Sequence, residues 1–250
     1  MRRWKIVSNK LKLSIVIPVY NEKDYIELVI RNVKEVDLGY DLEREIVVVD
    51  DGSTDGTREI LKKLENSEEF KGILKVIFHE KNQGKGGALN TGFNHISGDI
   101  VVIQDADLEY DPRDWKEMIR LIIERNADVV YGSRFYGASH RVLYFYHFLG
   151  NKVITYLINI LFNMTFSDIE VCYKMLKREI LEKIKPFKSK DFGFEVEITA
   201  KISKLANKEG IRVYETQINY YGRTYKEGKK ITWKDGFKAL WYILKFRFTN

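Results

Sequence analysis

Apolar residues along this chain come in short blocks with two different spacings. Residues 14–19 (SIVIPV) form a continuous apolar run closed by Pro18 and Asn21, after which Ile26, Val29, Ile30 and Val33 recur at the spacing of one helix face. Residues 45–49 (EIVVV) read as a buried strand. Ser53-Thr54-Asp55-Gly56 follows as a helix start with several N-cap oxygens, and Ile60, Leu61 and Leu64 carry that helix on one face. Residues 74–78 give a third strand, residues 86–94 open another helix, and residues 100–103 and 128–131 complete a set of about five strands. Continuous apolar strands alternating with helices predict an α/β fold, with a mostly parallel, Rossmann-like sheet covered by helices on both faces.

In such a sheet, ligands bind at the loops that follow the C-terminal strand ends. Those loops read YNE, DDGSTDG, NQGKGG, DADLE and GSR, so five polar segments converge on one edge.

The second half changes character. Residues 141–166 are aromatic and aliphatic, with Arg141 and Lys152 as their only charges, and residues 231–248 mix Trp233, Phe237, Leu240, Trp241, Leu244 and Phe248 with Lys234, Lys238, Lys245 and Arg247. No linker composition separates the two halves. The expectation is therefore one domain over residues 1–230 and an amphipathic helical extension over residues 231–250, packed on that domain or lying at a membrane interface. The longest uncharged apolar-rich run, residues 153–167, has 15 residues, where a bilayer span needs roughly 20. Residues 1–12 are basic but lack a small-residue cleavage site, so no signal peptide is expected. A net charge of +6 favours anionic partners such as nucleotide diphosphates or acidic lipid headgroups. No RNA-binding signature accompanies the aromatics, so nucleic acid is not an expected partner. The single cysteine, Cys172, rules out an internal disulfide and reads as a small buried residue.

Chemistry concentrates in the loops. Asp105 and Asp107 follow a buried strand, where a turn can bring both carboxylates onto one hard cation such as Mg2+ or Mn2+, with Glu109 as a third oxygen donor; the alternative is a turn of solvated acids. Asp50 and Asp51 can accept hydrogen bonds from a base edge or a ribose hydroxyl, or can cap the following helix. Gly84-Lys85-Gly86-Gly87 fits neither the Walker spacing nor GxGxxG; Lys85 can approach a diphosphate, or the glycines can simply make a tight turn. Arg134, Arg223 and Lys229 are candidate phosphate clamps.

In order and spacing, IVIPVYNE (15–22), VVVDDGSTDGT (47–57), NQGKGGALNTGF (82–93), DADLEYDP (105–112), GSRF (132–135) and RTYKEGK (223–229) resemble family 2 glycosyltransferases of the GT-A fold. Within that family the chain looks most like the dolichyl-phosphate mannose synthase group, to which the GSR and R-x5-K elements are more specific. The resemblance implies that Pro18, Tyr20, Glu22, Val49 and Asp51 line a nucleoside pocket and that Asp105, Ala106 and Asp107 hold metal and diphosphate. It further implies that Arg134 contacts phosphate, donor or acceptor, and that Arg223 and Lys229 close over the site, so that Asp107, Arg223 and Lys229 carry the catalytic roles. Two departures stand out: residue 109 is Glu where related sequences often have Gln, and the C-terminal transmembrane helices of some members are missing.

The implied reaction is metal-dependent and inverting, moving a hexose from a nucleotide sugar of the GDP-mannose or UDP-glucose type to a polyprenyl or dolichyl phosphate. A phosphate nucleophile is already anionic near neutrality and needs no strong general base. A sugar-hydroxyl acceptor would need one, with Glu195 or Glu197 as candidates, unless FGFEVEI is an ordinary helix start with Ile198 packed inward. A nucleotide-sugar-binding subunit without turnover is the reading from another class. The aromatic helices with basic flanks suit a peripheral position at the cytoplasmic face of a membrane; alternatively they complete the core, contact a membrane-anchor partner or form a homo-oligomer.

Overall fold

The structure, a computed structural model, describes residues 10–227 and 233–249. Seven strands among the described residues form one sheet: β1 (Lys12–Val19), β2 (Glu43–Asp50), β3 (Leu74–Phe78), β4 (Ile100–Ile103), β5 (Val129–Ser133), β6 (Lys174–Lys177) and β7 (Val213–Gln217), in the order β3-β2-β1-β4-β6-β5-β7. All pairings are parallel except those of β6, which runs antiparallel between β4 and β5. The helices are α1 (Ile26–Glu35), α2 (Thr57–Glu65), α3 (Lys85–Phe93), α4 (Trp115–Glu124), α5 (Phe145–Phe162), α6 (Arg178–Ile184), α7 (Gly193–Glu209) and α8 (Trp233–Phe248). The mostly parallel α/β architecture is the one expected.

β1 occupies the middle of the parallel part, and every residue from Leu13 to Val19 is buried, which accounts for its unbroken apolar run. α1 buries Ile26, Val29, Ile30 and Val33, the face that the spacing picks out. In the pairing register Val19 lies beside Asp50, and Asp50 beside Phe78. The chain therefore leaves β1, β2 and β3 at one level, and the polar loops gather there.

Three details differ from the expectation. β6 and β7 add two strands to the predicted five. β6 goes unpredicted because lysines begin and end it, yet Lys174 is fully buried and Lys177 donates to Asn126 and Asp128. β7 lies at the sheet edge, where only Thr216 is buried, so little apolar pattern marks it. At the start of α2 the N-cap residue is Gly56 with φ 106°, which has no side-chain oxygen of its own to cap with. Ser53 Oγ instead accepts the amide of Asn21, while Asp55 accepts both the amide and the hydroxyl of Thr57. These polar side chains tie the YNE loop to the DDGS loop.

α8 packs on α5 and α7, burying Ala239, Ile243 and Phe246. Residues 231–232 and 250 of the expected extension lie outside the described residues.

Candidate functional site

The turn after β4 presents Asp105, Ala106 and Asp107 at the loop-rich edge. Tyr173 donates to Gln104 Oε1 at 2.8 Å, fixing the residue before the turn. Asp107 Oδ1 accepts the amide of Glu109 at 3.1 Å, which closes the turn itself. Ala106 is buried, leaving the two aspartates as the polar face of the segment.

Arg223 reaches into this turn from the far end of the chain. Its Nη2 lies 2.5 Å from Asp107 Oδ2, its Nη1 3.3 Å from Glu22 Oε2 and its Nε 3.2 Å from Glu109 Oε1. Its backbone amide also donates to Glu109, whose other oxygen accepts the hydroxyl of Tyr220. The structure thus brings Glu22, Asp107, Glu109 and Arg223 together across 201 residues of sequence. Asp105 Oδ1 is 2.8 Å from Lys85 Nζ, so each aspartate of the turn has its own internal cation. Burial, followed by the negative charges of Asp105 and Glu109, pushes the Asp107 carboxyl up to about 7 against the pull of Arg223.

An all-oxygen donor set of this kind suits a hard divalent cation. The clustering of acids around a guanidinium is itself a sign of a place that demands positive charge. Asp105 and Asp107 fit as protein ligands of an ion completed by substrate phosphate and water. Glu109, expected as a third donor, has its oxygens on Arg223 and Tyr220, just as Asp107 has its own on Arg223 and the Glu109 amide, and no set of three metal-ligating side chains forms among the described residues.

Other expected site residues divide in the same way. Tyr20 is exposed at the rim, and Pro18 and Val49 are register neighbours in β1 and β2 but buried, with Val49 packed under α3 against Ala88. Asp51, expected in the nucleoside pocket, is buried, and its oxygens accept the amides of Gln83 at 2.9 Å and Gly84 at 2.7 Å, with His79 Nδ1 2.7 Å away. It shapes the β3–α3 loop. Asp50 is fully buried, 3.3 Å from Arg58. Arg134 is likewise not a free phosphate clamp, because its Nε and Nη2 meet Asp168 at 2.7 and 2.8 Å and both side chains are buried. Lys229 lies outside the described residues.

The two candidate bases are occupied as well. Glu197 accepts the amides of Lys188 and Ser189 and pairs with Lys201; burial works against its charge, but these amides hold its carboxyl below the usual range. Glu195 lies between Lys85 and Lys174.

Sequence reasoning passed over His79, Asp168, Glu170 and Tyr220, each of which orients or neighbours a site residue. Only Asp168 carries a signal, as an acid next to the apolar stretch that precedes β6. Glu170 stands near Glu195, and its Oε1 finds no hydrogen-bond partner among the described residues. Burial, then the charge of Glu195, raises its carboxyl from 4.5 to about 7. A raised acid stabilises the fold below its unfolded value and loses that contribution as pH climbs through the folded one. Glu170→Gln should therefore nearly match the parent at pH 4 and exceed it at pH 8, by about 3 kcal/mol at most. Urea unfolding at the two pH values checks this, and an equal difference at both would contradict it.

Several known proteins are similar to this chain. An undecaprenyl-phosphate 4-deoxy-4-formamido-L-arabinose transferase of Yersinia enterocolitica is 30% identical over 171 residues, covering 68% of this chain and 50% of the relative. The chain thus spans about half the length of that transferase. An uncharacterized protein of Methanocaldococcus jannaschii is 27% identical over 240 residues, covering 94% and 92%. Among solved structures, the mannosyltransferase PcManGT of Pyrobaculum calidifontis, in complex with GDP-Man and Mn2+, superposes with a TM-score of 0.61 at 25% identity, covering 91% of this chain and 62% of that one. Glucosyl-3-phosphoglycerate synthase of Mycobacterium tuberculosis gives 0.69 at 19% identity over 96% and 80%, a likeness of fold. The neighbours are GT-A glycosyltransferases. The model of glycosyl transferase family 2 matches residues 14–185, more than half of the sequence, and the chain belongs to that family.

Proposed function

We propose that this chain transfers a hexose from a nucleotide diphosphate sugar to a polyprenyl phosphate, with inversion and with the help of a divalent cation held by Asp105 and Asp107. The observation that carries the reading is the pair of aspartates in one turn, at the loop-rich sheet edge, with Arg223 and Lys85 beside them. A cation bound there would supply neutralisation of the charge that develops as the nucleoside diphosphate leaves. The chain's own residues do the rest. Arg223 can exchange carboxylate for phosphate partners, and Tyr220 and Glu109 hold its segment in place. Lys229, six positions on, is proposed to join Arg223 on phosphate charge.

The occupied state of Glu195 and Glu197 favours a phosphate acceptor, which brings its own nucleophilic oxygen, over a sugar hydroxyl, which needs a base. The Yersinia relative, named for transfer to undecaprenyl phosphate, supports the same choice. The exposed stripe of α5, Phe145, Leu149, Val153, Tyr156 and Ile160, adjoins α8 with Trp241, Leu244 and Phe248 exposed, and Lys245 lies over the Trp241 ring. No helix among the described residues is long and apolar enough to cross a membrane. This surface supports a peripheral position at the cytoplasmic leaflet, where the lipid acceptor would be met.

The test is a product assay by mass spectrometry, with GDP-mannose and UDP-glucose each offered alongside polyprenyl phosphate or a soluble sugar acceptor. Glycosylated lipid phosphate is expected from one donor; product only on the sugar hydroxyl would overturn the acceptor reading.

A further inference from the structure

Lys85 is the first residue of α3. A helix N-terminus carries partial positive charge, so a lysine there is unfavourable unless anions offset it. Two do: Nζ lies 2.8 Å from Asp105 Oδ1 and 3.1 Å from Glu195 Oε1. Glu195 meets Lys174 Nζ through its other oxygen, and the fully buried Lys174 also donates to the carbonyl of Val171. Four side chains from the β4 turn, α3, α7 and β6 therefore alternate in sign from the aspartate turn into the core.

The spacing of that chain is set by backbone, not by side-chain choice. A Cβ on Gly84 would run into the carbonyl of Lys190, and one on Gly86 into that of Ser189. These glycines let the start of α3 press against the segment leading into α7, which holds Lys85 and Glu195 at ion-pair distance. They are explained by this contact and need no phosphate.

Lys85 thus divides its charge between a carboxylate of the candidate metal turn and one outside it. We propose that Glu195 is a positioning residue, which sets how much of the Lys85 charge falls on Asp105 and so tunes the affinity of the aspartate turn for a divalent cation. The inference rests on the metal reading above. Without Glu195 the ammonium leans on Asp105 alone and the turn loses negative character; without Lys85 the turn gains it.

The experiment is Mn2+ binding to the full chain, read from the free-ion EPR signal in the absence of nucleotide. Lys85→Met should bind about tenfold more tightly than the parent and Glu195→Gln about tenfold more weakly, each about 1.4 kcal/mol. In the Lys85→Met background, adding Glu195→Gln should cost less than about twofold, since its effect passes through the lysine. Single variants that shift in the same direction, or an equal Glu195 cost in both backgrounds, would overturn the proposal by showing a structural or direct role. Should Glu195→Gln leave Lys174 unpaired and fail to fold, Glu195→Asp keeps that pair and is expected to lose affinity, again only when Lys85 is present. A parent that binds nucleoside diphosphate yet no Mn2+ overturns the metal reading and this inference together, whereas a parent that binds Mn2+ isolates the failure to the Lys85–Glu195 step.

Discussion

Asp107→Ala is expected to reduce sugar transfer about 100-fold or more, the usual loss when one preorganised electrostatic stabiliser of a transition state is removed. Asp107 is the better residue to change because it is the more buried of the pair and stands between Asp105 and Glu109, whose charges it must tolerate. That crowding makes the substitution safe for the fold. Removing a carboxylate that burial and two neighbours disfavour relieves repulsion, and Arg223 keeps Glu22 and Glu109 as partners. Steady-state transfer measured beside a urea unfolding curve separates the two effects. Activity within a few-fold of the parent, with the unfolding midpoint unchanged, would contradict the role given to the turn.

Asp168→Ala should act in the opposite way, on stability first. Asp168 accepts Nε, Nη2 and the backbone amide of Arg134, and the guanidinium it neutralises lies between the rings of Phe135 and Tyr220. Burial opposes the charge of Arg134, and Asp168 is the first of the groups that sustain it. Removing one member of such a pair leaves a buried charge uncompensated, a loss of about 3–5 kcal/mol. Denaturant unfolding reads it directly. A change below about 1 kcal/mol would mean that Arg134 has a second anionic partner or reaches solvent, and would return it to the candidates for phosphate binding.

These two residues show where the sequence is transparent and where it is not. Asp105 and Asp107 are legible because a turn two residues wide at the end of an apolar strand fixes their geometry locally. β1, β2 and α1 are legible for a similar reason, since burial on both sheet faces, or on one helix face, writes a period into the residues themselves. Arg134 is not legible: its partner is 34 residues away, beyond α5, and no local pattern joins them. The partners of Asp51 are hidden in the same manner, because the amides it serves belong to the loop after β3 and become neighbours only through the sheet order. Glu109 pairs with Tyr220 and Arg223, more than 100 residues on, and no local pattern announces them. Local periodicity marks the first five strands and the loops after them, whereas β6, β7 and the charge pairing of each side chain depend on contacts distant in sequence.

The central claim is that the Asp105–Asp107 turn holds a cation through which the donor diphosphate is anchored. The most direct measurement is calorimetric titration of nucleoside diphosphate into the parent and into Asp105→Asn/Asp107→Asn, each with Mn2+ and with EDTA. The account predicts that Mn2+ strengthens binding to the parent about tenfold or more and gives the double variant no advantage. Equal affinity of the parent with and without metal, or a metal-dependent gain that survives in the double variant, would contradict it.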